Sequence, residues 1–297
     1  MNIINDYFNF AKMKKIFLSI MCALVCGVCA QAQELVMRID DMGAFHSVNK
    51  ACVDSYRNGI AKSVEVLCVG AWFPEAVKML KENPGLDAGI HLAITSEWEN
   101  VKWRPLTDCP SLVDGDGYFY PMMWPNPAYP GMSILERVES INMEEVEHEF
   151  RAQIELAKKH IPQLTHISGH MFSTMFNKEV NELTKKLAAE YGLICTDVME
   201  GREIYGLEGL GYTGESVTSE DKIRSFIKSL ELMEPGKRYY FIDHPAYNDC
   251  EMQTVYHIGY ENVAQDRQGV TDFITSEEVK AVIEKRGIRL MSIADLN

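Results

Sequence analysis

The chain has 297 residues, of which 46% are hydrophobic and 24% are charged, and its formal net charge is −14. The composition is that of an ordinary globular protein and excludes a disordered chain, while the length suits one large α/β domain. A strongly acidic chain without a cluster of lysines and arginines argues against nucleic acid and polyanionic partners, but it is compatible with a neutral or cationic glycan.

The first 32 residues have the features of a secretory leader. Lys12, Lys14 and Lys15 precede an apolar run at 16–29 that ends in Ala-Gln-Ala at 30–32. A basic start, a short apolar stretch and an A-x-A exit are typical of a signal peptide, and the run falls short of the roughly 18 residues of a spanning helix. We therefore expect a signal peptide at 1–32, and a domain at 33–297 that is secreted or periplasmic and not held in a membrane after cleavage.

After the leader, short apolar runs alternate with helical patterns. Strands are expected at 34–40, 64–69, 87–93, 165–169, 193–196, 238–243 and 288–291, and helices at 47–59, 73–83, 143–160, 177–191, 219–232 and 276–286. Six or seven such units without consecutive hairpins predict a parallel sheet, either closed as a barrel or doubly wound. Because no glycine-rich phosphate motif follows the first strand, we favour a single-domain α/β fold, a distorted (β/α) TIM-like barrel with long inserted loops.

Polar side chains lie where several predicted strands end. Asp40 and Asp41 close the first strand, His91 closes the third, and His170 and His244 follow two later strands. The carboxyl ends of the strands of a parallel barrel meet at one rim, so these side chains are expected to converge. Two imidazoles and a carboxylate can hold a divalent metal and leave positions open for water and substrate. Each residue alone has a simpler explanation, as a turn or a rim residue, and only their joint placement favours a site.

At these residues the chain resembles the YdjC-like family, which includes chitooligosaccharide deacetylases. The family's opening Asp-Asp-Phe-Gly is matched by Asp40-Asp41-Met42-Gly43, and its Gly-x-His-Leu-x-x-Thr is matched at 89–95. Matches to the later family motifs follow in chain order at 111–119, 166–172, 244–245 and 292–296. Each motif is weak alone, but the ordered set is specific.

The resemblance implies that residues 33–297 are the catalytic domain of a carbohydrate deacetylase. It implies one divalent metal ion, magnesium or zinc, held by Asp41, His91 and His170. Asp40 would be the general base, and His244 the acid or oxyanion partner. The implied partner is an acetylated oligosaccharide substrate, and a homodimer is compatible with this assignment.

Residues 96–136 interrupt the alternation of strands and helices and are rich in proline, glycine and aromatic residues. Loops of this length inside a compact domain are usually functional. Flat rings beside a site suit the faces of sugars, although several of these rings can equally form a small core of the loop itself. We expect substrate contacts at Arg104, Trp103, Phe119 and Trp124.

Two positions depart from the family pattern. Ser168 stands where the family usually has Asp, and Phe172 replaces the last His of the same motif. These changes leave the three implied ligands in place but alter the support around them or a contact to substrate. Two alternatives stay open. One is a catalytically silent glycan-binding barrel that lost turnover with these two changes. The other is a metal-dependent phosphodiesterase, because the same ligands could polarise phosphoryl oxygen, although the acidic chain and the lack of a phosphate cradle disfavour it.

Overall fold

The computed structural model describes residues 32–296. The predicted signal peptide lies outside the described residues except for Ala32, so it stays a prediction. Within 32–296, no helix combines the length and the apolar character that crossing a bilayer requires.

The described chain contains a curled sheet of eight strands. They are β1 (Glu34–Met42), β2 (Ser63–Val66), β3 (Asp87–Leu92), β4 (Leu164–Gly169), β5 (Ile194–Cys195), β6 (Leu207–Gly209), β7 (Arg238–Asp243) and β8 (Arg289–Met291). Seven strands follow the order β5-β4-β3-β2-β1-β7-β6, and β8 pairs with the beginning of β1. All of these pairs are parallel. The sheet forms a half-barrel, which confirms the predicted distorted TIM-like α/β fold.

Within residues 32–296, eight α-helices connect the strands. They are α1 (His46–Arg57), α2 (Phe73–Glu82), α3 (Met143–His160), α4 (Lys178–Tyr191), α5 (Gly201–Ile204), α6 (Ser219–Leu232), α7 (Val263–Thr275) and α8 (Glu277–Arg286). Short 3₁₀ turns lie at Pro110–Leu112, Val138–Ser140, His170–Phe172, Met252–Thr254 and Ile293–Leu296. Local sequence sets several boundaries: Thr218 and Asp221 form a capping box at the start of α6, and α8 ends at Gly287 in the left-handed conformation.

The apolar core explains why the strands read as nearly continuous hydrophobic runs. Eight of the nine residues of β1 are buried, as expected for a central parallel strand that is covered on both faces. One large cluster packs the helices against the sheet. A second cluster contains Ile194 of β5 and Leu207 of β6 together with Val36 and Tyr240. Residues from the two ends of the strand path therefore belong to one apolar cluster.

Candidate functional site

A cavity of about 280 Å³ opens at the carboxyl ends of the strands. Its lining includes all five residues that the strand ends suggested: Asp40, Asp41, His91, His170 and His244. They come from β1, β3, the turn after β4, and the residue that follows β7. The curled parallel sheet thus brings side chains that are far apart in sequence to one rim.

An unusual backbone conformation lets two consecutive aspartates face the same cavity. Successive side chains of a regular strand point to opposite faces, but Asp41 has a φ of 73°, in the left-handed region. The pairing of β1 with β2 also shifts register between Ile39 and Met42. A non-glycine residue held in this region costs about 1–3 kcal/mol, and such strain is concentrated at functional sites. Here it turns the Asp40 and Asp41 carboxylates toward one space.

Asp41, His91 and His170 form the floor of the cavity together with Asp40. The first three offer ligand atoms that all lie within 4.8 Å of one another. Asp41 Oδ1 is 3.3 Å from His170 Nδ1 and 3.7 Å from His91 Nε2. This Oδ1 is buried and accepts no well-formed hydrogen bond among the described residues, so its nearest partner is the His170 ring, and a bound cation would give it a stronger contact. The donor set and the unpartnered oxygen therefore fit a divalent metal, and the two imidazoles suit zinc better than magnesium.

The two histidines of the floor lie in opposite electrostatic environments. Burial alone would lower the pKa of His170, but Glu97, 3.0 Å from Nε2, and Asp41 raise that pKa to about 10. Burial, the charge of His170 and the charge of Arg38 lower the pKa of His91 to about 3. His91 is thus a neutral ring, whereas a metal would have to displace a proton from His170, since only neutral imidazole binds metal.

Asp40 is fixed by a buried arginine from its own strand. Arg38 Nε and Nη2 each lie 2.6 Å from an oxygen of the Asp40 carboxylate. The remaining nitrogen, Nη1, donates to Asp197 at 2.7 Å and to the Tyr240 hydroxyl at 2.9 Å. This bidentate contact sets the plane of the Asp40 carboxylate, while its Oδ2 stays 3.7 Å from His91 Nε2.

Arg267 and His244 flank the floor from the other side. Arg267, on α7, places Nη2 2.8 Å from Asp41 Oδ2. Burial would raise the pKa of Asp41, but the positive charge of Arg267 holds it well below its usual range. His244 is half-buried, with Nδ1 3.8 Å from Asp243 Oδ1. Although burial opposes it, the Asp243 and Asp41 carboxylates raise the pKa of His244 above its ordinary value.

Ser168, one of the two departures from the family motif, lies directly behind the floor. Its Oγ is 2.7 Å from His91 Nδ1, and its hydroxyl donates to the Glu65 carboxylate. Glu65 also contacts His166 Nε2 at 2.7 Å. All of these side chains are buried. Ser168 therefore supports His91 from behind and does not line the cavity.

Of the four expected substrate contacts, only Trp124 lines the cavity. Trp103 is buried and donates Nε1–H to the Thr95 carbonyl at 2.7 Å, and Phe119 is buried as well. Arg104 lies over the Tyr118 ring at 4.0 Å. The structure thus does not bring Trp103, Phe119 or Arg104 to the cavity. Trp103 and Phe119 pack into the core, which is the alternative explanation given above for these rings. Arg104 is exposed and donates to the Asp116 carbonyl within its own segment.

Several lining residues were not identified from the sequence. They are Arg38, Glu97, Trp98, Asp197, Arg202, His257, Tyr260 and Arg267. One signal was present: Arg38 precedes Asp40 by two residues on the same strand, so the two side chains share a face. Arg267 had no such signal, because the helix that carries it was not predicted.

Comparisons with known proteins agree with this architecture. The model of the YdjC-like protein family matches residues 34–285. A carbohydrate deacetylase of Brevibacillus brevis is 27% identical over 89% of this chain and 99% of its own length, and one of Clostridium beijerinckii is 26% identical over 88% and 99%. A crystal structure from Enterococcus faecalis, of a protein associated with cellobiose-phosphate cleavage, superposes with a TM-score of 0.69 at 25% identity and covers 89% of this chain and 99% of that one. The chain belongs to the YdjC-like protein family.

Proposed function

We propose that this protein is a metal-dependent carbohydrate deacetylase, a hydrolase that cleaves the amide bond of an acetylated sugar or oligosaccharide. The observation that carries the proposal is the buried cluster of Asp41, His91 and His170, with its unpartnered Asp41 oxygen, beside Asp40 and His244 in one cavity. The deacetylases of Brevibacillus brevis and Clostridium beijerinckii, which align along nearly their whole length, support the same reaction and substrate class.

Asp41, His91 and His170 would hold the divalent ion, zinc or magnesium. When bound, such an ion polarises a carbonyl group and makes water more acidic. The residues themselves prepare this site, because Arg267 occupies Asp41 Oδ2 and leaves Oδ1 facing the two imidazoles. Only Oδ1 of the Asp41 carboxylate is thereby left to act as a metal ligand.

Asp40 and His244 divide the proton transfers between them. The Asp40 carboxylate, oriented by Arg38, accepts a proton from the attacking water. His244 lines the same cavity, and the Asp243 and Asp41 carboxylates raise its pKa, which favours the protonated ring that can donate to the departing amine nitrogen. Water attack on the acetyl carbon and protonation of the amine release acetate and a free amino sugar.

The site geometry also bears on the two alternatives. The charge of each cavity arginine is balanced by a carboxylate, because Arg38 faces Asp40, Arg202 lies 3.7 Å from Asp197, and Arg267 faces Asp41. This charge balance disfavours a phosphodiesterase, whose substrate is an anion. A silent glycan-binding barrel is disfavoured because Ser168 leaves all three metal donors in place. Both features favour turnover of a neutral acetylated glycan.

The proposed function also includes export of the protein. The basic, apolar and A-x-A features of residues 1–32 support secretion or periplasmic location, where acetylated oligosaccharides would be met as substrates.

An acetate assay tests the function. Purified protein loaded with zinc or magnesium is incubated with acetylated chito-oligosaccharides, and the released acetate is measured. Phosphate release from a sugar phosphate and the heat of glycan binding are measured in parallel. We expect acetate and no phosphate. Glycan binding without acetate from any acetylated glycan, in protein whose metal content is verified, would support the silent barrel instead.

A further inference from the structure

Two exposed aromatic rings stand at the mouth of the cavity. Trp124 is 46% exposed and Phe172 is 51% exposed, and their centroids lie 5.5 Å apart in an edge-to-face arrangement. Both line the cavity. The exposure of Trp124 is not a general property of the 96–136 segment, because most of the other large rings of that segment are buried: Trp98, Trp103, Phe119, Tyr120 and Tyr129.

The backbone holds Phe172 outward at a conformational cost. Met171 and Phe172 have φ angles of 48° and 63°, which non-glycine residues rarely adopt. The chain is anchored immediately afterwards, where the Ser173 hydroxyl donates to the Leu92 carbonyl at 2.5 Å and the Thr174 hydroxyl donates to the Asp197 carbonyl at 2.6 Å. The buried contacts of Ser173 and Thr174 hold the strained turn in place, and the turn keeps the Phe172 ring in solvent.

We propose that Trp124 and Phe172 form a subsite for the pyranose ring next to the acetylated one. The inference rests on the proposed deacetylase function and deepens it. A cavity of about 280 Å³ lies below the usual range of ligand pockets, roughly 300–1,000 Å³, so it holds little more than one sugar ring beside the floor. The next ring of an oligosaccharide lies at the mouth, where its C–H face can pack on the aromatic pair. The substrate is therefore a neutral acetylated oligosaccharide of two or more rings.

Kinetics on substrates of different length test this subsite. We compare Trp124→Ala and Phe172→Ala with the unchanged protein on di-N-acetylchitobiose and on N-acetylglucosamine. We expect KM for the disaccharide to rise about three- to tenfold with kcat within twofold, in line with the strength of single aromatic contacts, and no change for the monosaccharide. Phe172→Tyr keeps a ring and should restore the disaccharide KM.

Trp72→Ala is the matched control, because Trp72 is also exposed, at 39%, but does not line the cavity. Binding of the deacetylated disaccharide, followed by tryptophan fluorescence and titration calorimetry, gives a second measurement that needs no turnover. If acetate is released but KM and product binding are the same in all variants, the subsite is wrong and the deacetylase function stands. If no substrate yields acetate, the function itself fails.

A second inference concerns Glu65, which is completely buried on β2. Its Oε1 lies 2.7 Å from His166 Nε2 and 3.3 Å from Arg38 Nε, and its Oε2 accepts from the Ser168 hydroxyl. The space for this carboxylate exists because residue 89 is glycine: a Cβ there would come within 2.3 Å of His166 and 2.4 Å of Glu65 Oε2.

We infer that Glu65 is a positioning residue that sets the tautomer of His91 through Ser168. A carboxylate between Arg38 and His166 only accepts hydrogen bonds, so the single hydroxyl proton of Ser168 must point to Glu65. Ser168 Oγ must then accept from His91, which places the ring proton on Nδ1. Nε2, the nitrogen that faces Asp41, is left with its lone pair available. Glu65 thereby provides the carboxylate that the family usually has at position 168, but it acts on His91 through the Ser168 hydroxyl.

The tautomer can be observed directly. Nitrogen NMR of metal-free protein should show His91 with its proton on Nδ1, and Ser168→Ala should abolish that preference. Glu65→Gln should weaken zinc affinity, measured by chelator competition, by roughly 10- to 100-fold. Glu231→Gln, a change at an exposed residue, is the charge-matched control. A proton on Nε2, or zinc affinity unchanged in both site variants, would overturn the assignment.

A double substitution separates positioning from simple structural support. Ser168→Asp alone would set two buried carboxylates against each other, so we expect a lower Tm. Ser168→Asp combined with Glu65→Gln should recover Tm and zinc affinity, because the required carboxylate is again present. If the double variant folds but still binds zinc weakly, Glu65 is structural only.

Discussion

The floor of the cavity, formed by Asp40, Asp41, His91 and His170, contrasts with its mouth, formed by Trp124 and Phe172. The floor side chains come from strand ends, are buried, and are each fixed by a charged or hydrogen-bonded neighbour. The mouth comes from a long segment and a strained turn, and it is exposed. This difference fits the roles proposed for the two regions, chemistry at the floor and glycan selection at the mouth.

The largest effect is expected from His91→Ala. It removes one of three metal donors, so metal content and acetate release should be lost together while the chain stays folded. Elemental analysis and circular dichroism measure both properties. His148→Ala, at an exposed position on α3, should change neither. Full metal occupancy in His91→Ala would remove this residue from the floor.

Asp40→Asn should lower kcat by roughly 100- to 10,000-fold, because Asn keeps the shape but cannot accept the proton of the attacking water. Metal content should stay unchanged, since Asp41 and the two histidines are intact. A single-turnover acetate assay measures the rate. Activity close to that of the unchanged protein would show that another group is the base.

The pH profile tests His244 in its protonated form. Because its pKa is raised, His244 is protonated below that pKa and loses its proton as pH rises through it. We therefore expect kcat to be high below the pKa of His244 and to fall as pH rises through it. This fall should occur at a higher pH than for an unperturbed histidine. His244→Gln should lower kcat by about 100-fold and remove the alkaline limb. An alkaline limb that persists in His244→Gln would assign it to a different group.

The smallest effect is expected from Trp103→Phe, which tests whether this ring belongs to the core and not to the substrate site. The change removes the hydrogen bond to the Thr95 carbonyl and should lower the free energy of unfolding by about 1 kcal/mol or somewhat more. KM for every glycan should be unchanged. A rise in KM without a loss of stability would return Trp103 to the substrate site.

Much of the fold was visible in the sequence because parallel strands and their flanking helices are periodic. The predicted strand at 238–243 coincides with β7, and the predicted helix at 73–83 differs from α2 by one residue. The helix α7 was missed since the residues it buries include Arg267, Gly269 and Thr271, which weaken the amphipathic pattern. Of these residues, Arg267 is buried because it contacts Asp41 in the cavity.

The ends of strands made the floor predictable, whereas its supporting contacts were not. Glu65 and Glu97 each reach a histidine or its hydroxyl partner from another part of the chain, and no local spacing reveals such a contact. The mouth was predicted only in part. Composition identified an aromatic segment, but burial of Trp103 and Phe119 and exposure of Trp124 depend on tertiary packing.

Removal and return of the metal shows whether the floor binds an ion that supports deacetylation of a glycan. Protein stripped with a chelator is titrated with zinc while acetate release from di-N-acetylchitobiose is followed. We expect no acetate from the stripped protein and full recovery at about one ion per chain. Equal acetate release from stripped and reloaded protein, or none after the site is filled, would contradict this expectation.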